Sequence, residues 1–325
     1  MFRTFLAALT ATALAGVLSG PSGAVAAAGT DFPTIGVSDS SVQLGARVTV
    51  SGKGPSLREL VLEMRTDENG WQAIGSLRTG LGGHYAFPAP GWAGSHRLRV
   101  VAPATAVAVK EVSAEVTVTV RMPYRPKGAR SDWTWLSHRG ARWDPCGPIT
   151  YRISAGGGYP AARSDIKRTF EAVARITGFR FEYLGTTRRQ VQRSRYGYHP
   201  AGTDVLVDWQ APSAEPGLAR GVAGLGGHWV MDGRRFAGWM ILDQTERHPR
   251  AVWRQLIGHE IGHILGLGHA RGSTQLMHGL STPANRLWGN GDLTALRRVG
   301  PSRGCLGTPA GRVGTGGRAV LAGAA

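Results

Sequence analysis

One short run of residues constrains this 325-residue chain more than any other feature of its sequence. His259 and His263 are four positions apart in a strongly helical segment, so their side chains lie on one face of a helix, one turn apart. Glu260 points about 100° away around the helix axis. Gly266 can end the helix in a left-handed conformation, and His269 can then return toward the other two imidazoles. The sequence therefore predicts three histidines that converge on one point.

Three converging imidazoles form a ligand set for a metal ion. Three nitrogen ligands with a fourth position open are typical of catalytic zinc, whereas structural zinc sites are closed by four protein ligands. We therefore predict one Zn²⁺ held by His259, His263 and His269, with Glu260 placed to hold a water beside it. The alternative is a buried helix with three incidental histidines, and the number of fixed positions in the run argues against it.

The whole pattern, H-E-x-x-H-x-x-G-x-x-H beginning at His259, resembles the signature of the metzincin metalloproteases. Residues 275–279 are similar to the methionine turn of that family, in which Met277 would form a floor beneath the imidazoles without being a ligand. Met277 follows His269 by eight residues, and this short interval resembles the matrixin branch in its secreted bacterial form. The resemblance covers roughly residues 133–308.

The resemblance implies a secreted zinc-dependent endopeptidase (a hydrolase) that cleaves a polypeptide substrate through a zinc-activated water, with Glu260 as the catalytic general base. It also implies that residues 238–243 form the edge strand along which a peptide would lie. An alternative from another class is an inactive or weakly active secreted zinc-binding protein of a surface or adhesion type. Glu260 favours the enzyme, since a pseudoenzyme would most easily lose that residue.

The chain departs from mammalian-type matrixins in three ways. No cysteine lies in residues 27–132, where those proteins carry a latency switch. The two cysteines, Cys146 and Cys305, favour a disulfide in an exported chain, although the Pro-Cys-Gly context of Cys146 also resembles the switch. His228 falls near the position of structural zinc ligands, but without companions it is expected to be a surface or rim histidine. Sparse acidic residues argue against a structural Ca²⁺ or a second Zn²⁺.

The N-terminal part of the chain has a different pattern from the part that carries the histidines. Residues 32–121 contain about seven short segments in which apolar and polar residues alternate, with no helical period. Residues 67–70 form a turn between two of these segments, which is typical of a hairpin. The pattern predicts an all-β sandwich and resembles bacterial immunoglobulin-like modules. We expect this sandwich to be dispensable for the chemistry and to target or space the protein; the alternatives are an inert folding aid and a propeptide-like inhibitor.

The second domain, residues 133–306, is expected to be α+β (α/β/α) in its layers, which gives the chain two domains in all. A first helix should be capped by Ser164 or Asp165 and end at Gly178. Two further helices are expected over 251–265 and about 292–299. Strands are predicted by the residue pattern at four places, which are 149–153, 179–183, 205–209 and 236–242.

The remaining segments bear on the location and partners of the protein. Residues 1–26 are typical of a signal peptide, which favours a secreted, extracellular protein over one with an N-terminal membrane anchor. Residues 122–132 have the composition of a basic linker, and residues 307–325 that of a disordered tail. The net charge of +17 allows contact with a cell surface or an anionic polymer, although it can also reflect arginine-rich coding. No aromatic–basic motif supports a specific nucleic-acid partner, and no later segment reaches a transmembrane length.

Overall fold

The computed structural model describes residues 32–195 and 198–306, so the predicted signal peptide and the predicted C-terminal tail lie outside the described residues. The α-helices are α1 (Ala162–Thr177), α2 (Arg250–Leu265) and α3 (Asn290–Val299). The strands are β1 (Gly36–Val37), β2 (Ser41–Gln43), β3 (Thr49–Lys53), β4 (Glu59–Thr66), β5 (Gly70–Arg78), β6 (His84–Pro88), β7 (Gly94–Ala102), β8 (Glu111–Val112), β9 (Val116–Arg121), β10 (Thr134–Trp135), β11 (Ile149–Ser154), β12 (Phe181–Thr187), β13 (Val205–Gln210), β14 (Gly224–Met231), β15 (Arg234–Asp243) and β16 (Leu267–Gly268).

Residues 32–121, called the N-terminal region below, form two sheets. One has the strand order β1-β3-β6, and the other has the order β2-β9-β7-β4-β5 with β8 beside β7. Val50 and Phe87 of the first sheet share one hydrophobic core with Leu62, Leu98 and Val118 of the second. These positions alternate with exposed ones along their strands, so the period-two pattern of the sequence is the pattern that fills the core.

Residues 133–306, called the C-terminal region below, are built around a mixed sheet with the order β12-β11-β13-β15-β14. Four of its strands are parallel, and β14 runs antiparallel to β15. The prediction that residues 238–243 form the edge strand is wrong, because they belong to β15, which pairs with β13 on one side and β14 on the other. The edge strand at this side of the sheet is β14.

Two helices tie the C-terminal region together. The apolar face of α1 is buried as the sequence predicts, and Gly178 ends the helix with a φ of 82°. The helix begins at Ala162, so the predicted cap at Ser164 or Asp165 is wrong. The Asp165 carboxylate is buried in the first turn, where it accepts hydrogen bonds from the Arg250 guanidinium at 2.7 and 2.9 Å. This ion pair joins α1 to the first residue of α2. Within the described ranges, no helix has the length and apolar character needed to cross a membrane.

The segment 122–132 lies against the C-terminal region along much of its length. The Tyr124 hydroxyl donates to the Trp288 carbonyl at 3.0 Å, and the backbone N–H of Asn290 donates to the Lys127 carbonyl at 2.8 Å. The Asp132 carboxylate accepts hydrogen bonds from the backbone of residues 271 and 272, both at 2.9 Å. These bonds fix the segment beside α3 and beside the loop that follows His269.

The hairpin turn between β4 and β5 contacts the C-terminal region. Its Asp67 N–H donates to the Ser302 carbonyl at 2.8 Å. The Glu68 carboxylate pairs with Arg142 at 2.6 Å and also with Arg303. The Arg142 side chain is only 3% exposed, so its guanidinium is shielded from water, whereas the Glu68 side chain is partly exposed. The two regions therefore share contacts, which gives the N-terminal region a role in stability as well as the targeting or spacing role expected from the sequence.

Glu68→Ala should lower the free energy of unfolding by about 1–2 kcal/mol, because it leaves the buried Arg142 guanidinium without its carboxylate. Thermal or urea unfolding of the full chain measures this loss. Glu115→Ala is the matched control, since Glu115 pairs with Arg97 between side chains that are 39% and 55% exposed. The control should cost less than about 1 kcal/mol. Equal losses in the two variants would contradict a stabilising contact at Arg142.

Candidate metal centre

Two adjacent elements bring the three predicted histidines together. Helix α2 carries His259 and His263 one turn apart, with ring centroids 4.7 Å from each other. Gly266 ends the helix with a φ of 103°, and the chain then passes through β16 to His269. The His269 ring lies 5.3 Å from that of His259 and 4.9 Å from that of His263. One nitrogen from each ring lies within 4.8 Å of the others, so the three can reach a single ion.

Backbone carbonyls orient the two helical imidazoles. His259 Nδ1 lies 2.8 Å from the Leu276 carbonyl oxygen, and His263 Nδ1 lies 2.7 Å from that of Leu267. A carbonyl can only accept, so each Nδ1 carries the proton and each Nε2 presents its lone pair. The Nε2 atoms of all three histidines are buried without a hydrogen-bond partner in the described structure. Three bare nitrogens in one buried place fit the ligand set of a zinc ion.

Burial keeps these imidazoles neutral. It lowers the pKa of His259 to about 4, and it lowers the pKa of His263 well below the ordinary value, because a charged ring would lose its hydration there. The pKa of His269 is also lowered by burial. Neutral imidazole is the form that binds metals, so at neutral pH the site does not have to lose protons before an ion binds.

Glu260 lies beside the triad in a fully buried position. Both of its carboxylate oxygens lack a hydrogen-bond partner among the described residues. Burial without a counter-charge raises the pKa of Glu260 to about 8. The side chain faces Gly224 and Gly226 of the edge strand β14, and a Cβ atom at Gly226 would lie 2.6 Å from the Glu260 backbone oxygen and 2.8 Å from Oε2. Glycine is required at this position for the strand to approach the helix so closely.

Gly226→Ala should displace Glu260 or push β14 away from α2, because real Cβ atoms do not approach backbone oxygen at 2.6 Å. We expect the overpacking to destabilise the chain by about 1–3 kcal/mol. Gly156→Ala is the matched control, since nothing lies within 4 Å of its Cβ position. Thermal or urea unfolding of both variants checks the expectation, which fails if Gly226→Ala behaves like the control.

Met277 packs against Gly262 of helix α2 and is almost fully buried. The backbone around Met277 is held by Asp292, a residue of α3 to which the sequence gave no role in the site. The Asp292 carboxylate accepts from the N–H groups of Leu276 at 2.6 Å and Met277 at 3.3 Å. Since the Leu276 carbonyl orients His259, Asp292 acts on the metal site through one intervening residue. Its only signal in the sequence was an acidic residue in the first turn of a helix.

His228 is buried, so its predicted place at the surface or rim is wrong. Its side chain is 1% exposed, and its Nδ1 lies 2.8 Å from the His263 carbonyl oxygen. Its other ring nitrogen lies 3.1 Å from the Ser137 hydroxyl. The residue therefore links the edge strand to the end of α2, and it is not grouped with the three histidines of the candidate metal centre.

Cys146 and Cys305 are joined in a disulfide with a Cα–Cα distance of 5.4 Å, and neither cysteine is free. The bridge accounts for the second group of metal-ligating residue types in the described structure, Asp144 with the two cysteines. In this structure Cys146 is therefore bonded to Cys305 and is not a thiol available to the zinc ligands.

The similarity of this chain to known proteins is weak. No protein-family model matches the chain, and no curated protein matches its sequence. One similar solved structure is that of myroilysin, with 15% identity and a TM-score of 0.26, covering 40% of this chain and 53% of the myroilysin chain. Another is Archaemetzincin from Methanopyrus kandleri, with 16% identity and a TM-score of 0.29, covering 50% of this chain and 89% of that one. Within the described residues, the C-terminal region combines a mixed sheet with packed helices, which is an α/β arrangement.

Proposed function

We propose that this protein is a zinc-dependent endopeptidase. One observation carries the proposal: three bare imidazole nitrogens lie together in one buried site, and the residue after His259 on the same helix is Glu260, whose buried carboxylate has no partner among the described residues. Leaving five polar atoms buried without partners is costly, and a structural core would not retain them together. A metal ion with a reacting water would satisfy all of them at once.

His259, His263 and His269 would hold the zinc ion through their Nε2 atoms. When bound, zinc supplies a Lewis acid that makes a neutral water acidic and polarises a carbonyl group. Glu260 would accept the proton of the attacking water on its carboxylate and later deliver it to the leaving amine nitrogen. Burial raises the pKa of the Glu260 carboxyl, so this carboxyl binds a proton more readily than an exposed one.

The edge strand β14 offers a place for the substrate backbone. The Ala223 carbonyl accepts a hydrogen bond from the Asp243 N–H at 2.9 Å, so the alternation of an antiparallel pair directs the backbone groups of Gly224, Gly226 and His228 away from β15. These residues are buried in this structure, so an extended peptide could pair with their backbone groups where they become accessible. Such pairing needs no free chain end, which supports cleavage within a chain.

A cavity of about 330 Å³ borders His259 and would receive one substrate side chain. Its walls include Val252, Leu256 and Leu280, with His248 and His278 among its polar members. We therefore expect a preference for a medium-sized apolar residue beside the cleaved bond. A cleavage-site profile on a peptide library tests this preference.

The proposed activity is tested by cleavage of casein or a quenched peptide together with metal analysis. The purified mature chain should contain about one zinc per molecule and lose its activity in a chelator. Adding zinc back in slight excess should restore cleavage. Metal-free protein with full activity, or zinc-loaded protein with none, would contradict the proposal and favour the secreted binding protein.

His263→Ala should lower the zinc content from near one ion per chain to near zero, because two remaining imidazoles cannot complete the ligand set. Mass spectrometry of metals after dialysis gives the content directly. His84→Ala, at an exposed position of β6, is the matched control and should retain the metal. Zinc retained near stoichiometry in the His263→Ala protein would refute the ligand assignment.

The eight-residue interval between His269 and Met277 supports placing the enzyme in a matrixin-like branch, and the signal-like residues 1–26 support action outside the cell. N-terminal sequencing of the protein recovered from the culture medium tests the location. A mature chain that begins after residue 26 is the expected result, and retention of the full chain in the cell would contradict it.

A further inference from the structure

Three loops meet at one end of the N-terminal region, and they are called the distal tip below. They are residues 54–58 between β3 and β4, residues 79–83 between β5 and β6, and residues 103–110 between β7 and β8. The first two are linked because the Leu57 N–H donates to the Gly80 carbonyl at 3.3 Å. Arg58 joins the third by donating to the carbonyl of Pro103 at 2.6 Å.

The distal tip presents aliphatic side chains to solvent. Leu57, Leu81, Val107 and Val109 are 50%, 81%, 97% and 76% exposed. The loops that carry them are held together, since the Ser56 hydroxyl donates to the Leu81 carbonyl at 2.6 Å and Arg58 also donates to the Val109 carbonyl at 3.2 Å. Single exposed apolar residues are ordinary, but four on loops that are hydrogen-bonded to one another concentrate exposed apolar side chains at one end of the region, which favours a partner there.

Exposed cations flank each loop of the tip. Lys53 precedes the first loop, Arg78 precedes the second, and Lys110 ends the third. Of the carboxylates nearby in the chain, Glu111 is engaged by Arg58 at 3.4 Å, and the exposed Glu59 lies directly across the β4–β5 pair from Arg78. Lys53 and Lys110 therefore supply most of the positive charge beside the aliphatic side chains.

We propose that the distal tip docks the protein on an anionic phospholipid surface. The aliphatic side chains would enter the boundary between headgroups and acyl chains, while Lys53 and Lys110 would contact the phosphates. Loops with exposed aliphatic side chains and two exposed lysines beside them complement such a surface in both polarity and charge. An anionic polymer would engage the cations but gain nothing from the exposed aliphatic groups.

The position of the tip leaves the candidate metal centre clear of the membrane. Strand β4 runs from the tip at Glu59 to Thr66, beside the turn that contacts Ser302, and eight residues of strand span about 26 Å. Strand β7 runs antiparallel to β4 and connects the same two ends, since it starts beside Ala93, whose N–H donates to the Ile176 carbonyl, and finishes at the tip at Ala102. Docking through the tip therefore directs the C-terminal region away from the surface, where substrates can still reach it.

The test is sedimentation of the full mature chain with vesicles of phosphatidylcholine containing phosphatidylglycerol, against vesicles of phosphatidylcholine alone. We expect binding to the anionic vesicles and at least tenfold weaker binding to the neutral ones. The double variant Leu81→Ser with Val107→Ser should weaken binding to anionic vesicles at least tenfold, and Lys53→Gln with Lys110→Gln should do the same. The matched control, Met231→Ser with Leu287→Ser, changes exposed side chains of the C-terminal region and should bind like the parent chain.

All the substituted side chains are exposed, so we expect every variant to fold like the parent chain. An unfolding curve of each variant checks this. Absence of binding to anionic vesicles would overturn the proposal. Binding that depends on the lysines but not on Leu81 and Val107 would overturn it in favour of a purely electrostatic contact with an anionic polymer. Binding to whole cells that is lost after protease treatment of the cells, without binding to vesicles, would overturn it in favour of a protein partner.

Discussion

The Glu260→Gln protein should keep its zinc but lose most of its turnover. Glutamine has nearly the same shape as glutamate, so the close contact with β14 and the three imidazoles should remain in place. Its amide cannot accept the proton of the attacking water, and a positioned general base contributes a factor on the order of 10² to 10⁴ to the rate. The expected result is therefore a fall in kcat of that size with an unchanged zinc content.

The matched control is Glu171→Gln, which makes the same chemical change at an exposed position of α1. It should leave both zinc and kcat unchanged. Because Glu260 is fully buried, an unfolding curve of Glu260→Gln must accompany the kinetics, and exchanging one buried polar group for another of nearly the same shape should change stability little. A Glu260→Gln protein with parental kcat would mean that the base is another residue.

The three histidines could be predicted from the sequence because their geometry is local. Helix periodicity alone sets His259 against His263, and the glycine at 266 permits the turn that returns His269. Asp292 is different, because it reaches Leu276 from a helix that begins 14 residues later in the chain. No local pattern specifies that contact, so its part in orienting His259 became visible only in the structure.

The edge strand β14 is not among the strands that the sequence pattern predicts, and its composition gives the reason. Residues 224–231 read Gly-Leu-Gly-Gly-His-Trp-Val-Met, and glycine disfavours strands in sequence-based reasoning. The reason for Gly226 lies across the fold, where Glu260 leaves no space for a Cβ atom. The strand that was mistaken for the edge, β15, has the continuous apolar pattern of a buried strand and is in fact paired on both sides.

The contacts between the N-terminal and C-terminal regions could not be predicted from the sequence either. The turn at residues 67–70 could be predicted from its composition, but nothing in it indicated that Glu68 would pair with Arg142. The same holds for Gly178, which could be predicted to end α1 but also lies under Trp92 of the N-terminal region. Both residues serve a local purpose that the sequence reveals and a long-range one that it does not.

The second large effect is expected at the Cys146–Cys305 bridge. Replacing both cysteines with serine opens a loop with a sequence separation of 159, and the chain-entropy model gives a loss of about 5 kcal/mol for a loop of that length. For a chain of this size the loss corresponds to a fall in Tm of about 8 °C. Calorimetry of the double variant should show this fall, and thiol titration of the denatured parent chain should find no free cysteine. Two free thiols in the parent would contradict the bridge and revive Cys146 as a latency switch.

The surroundings of the bridge sharpen that prediction, because it lies where the two regions meet. The Asn69 side chain donates to the Cys305 carbonyl at 2.9 Å, and the Cys305 N–H donates to the Gln72 side chain at 3.0 Å. Opening the bridge should loosen residues 302–305 and with them the contacts of the β4–β5 turn. Combining the double serine variant with Glu68→Ala should therefore cost less than the sum of the separate losses, by about 0.5 kcal/mol or more. Strict additivity would mean that the bridge raises stability only by restricting the unfolded chain. The expected coupling would mean that it also holds in place the residues that the N-terminal region contacts.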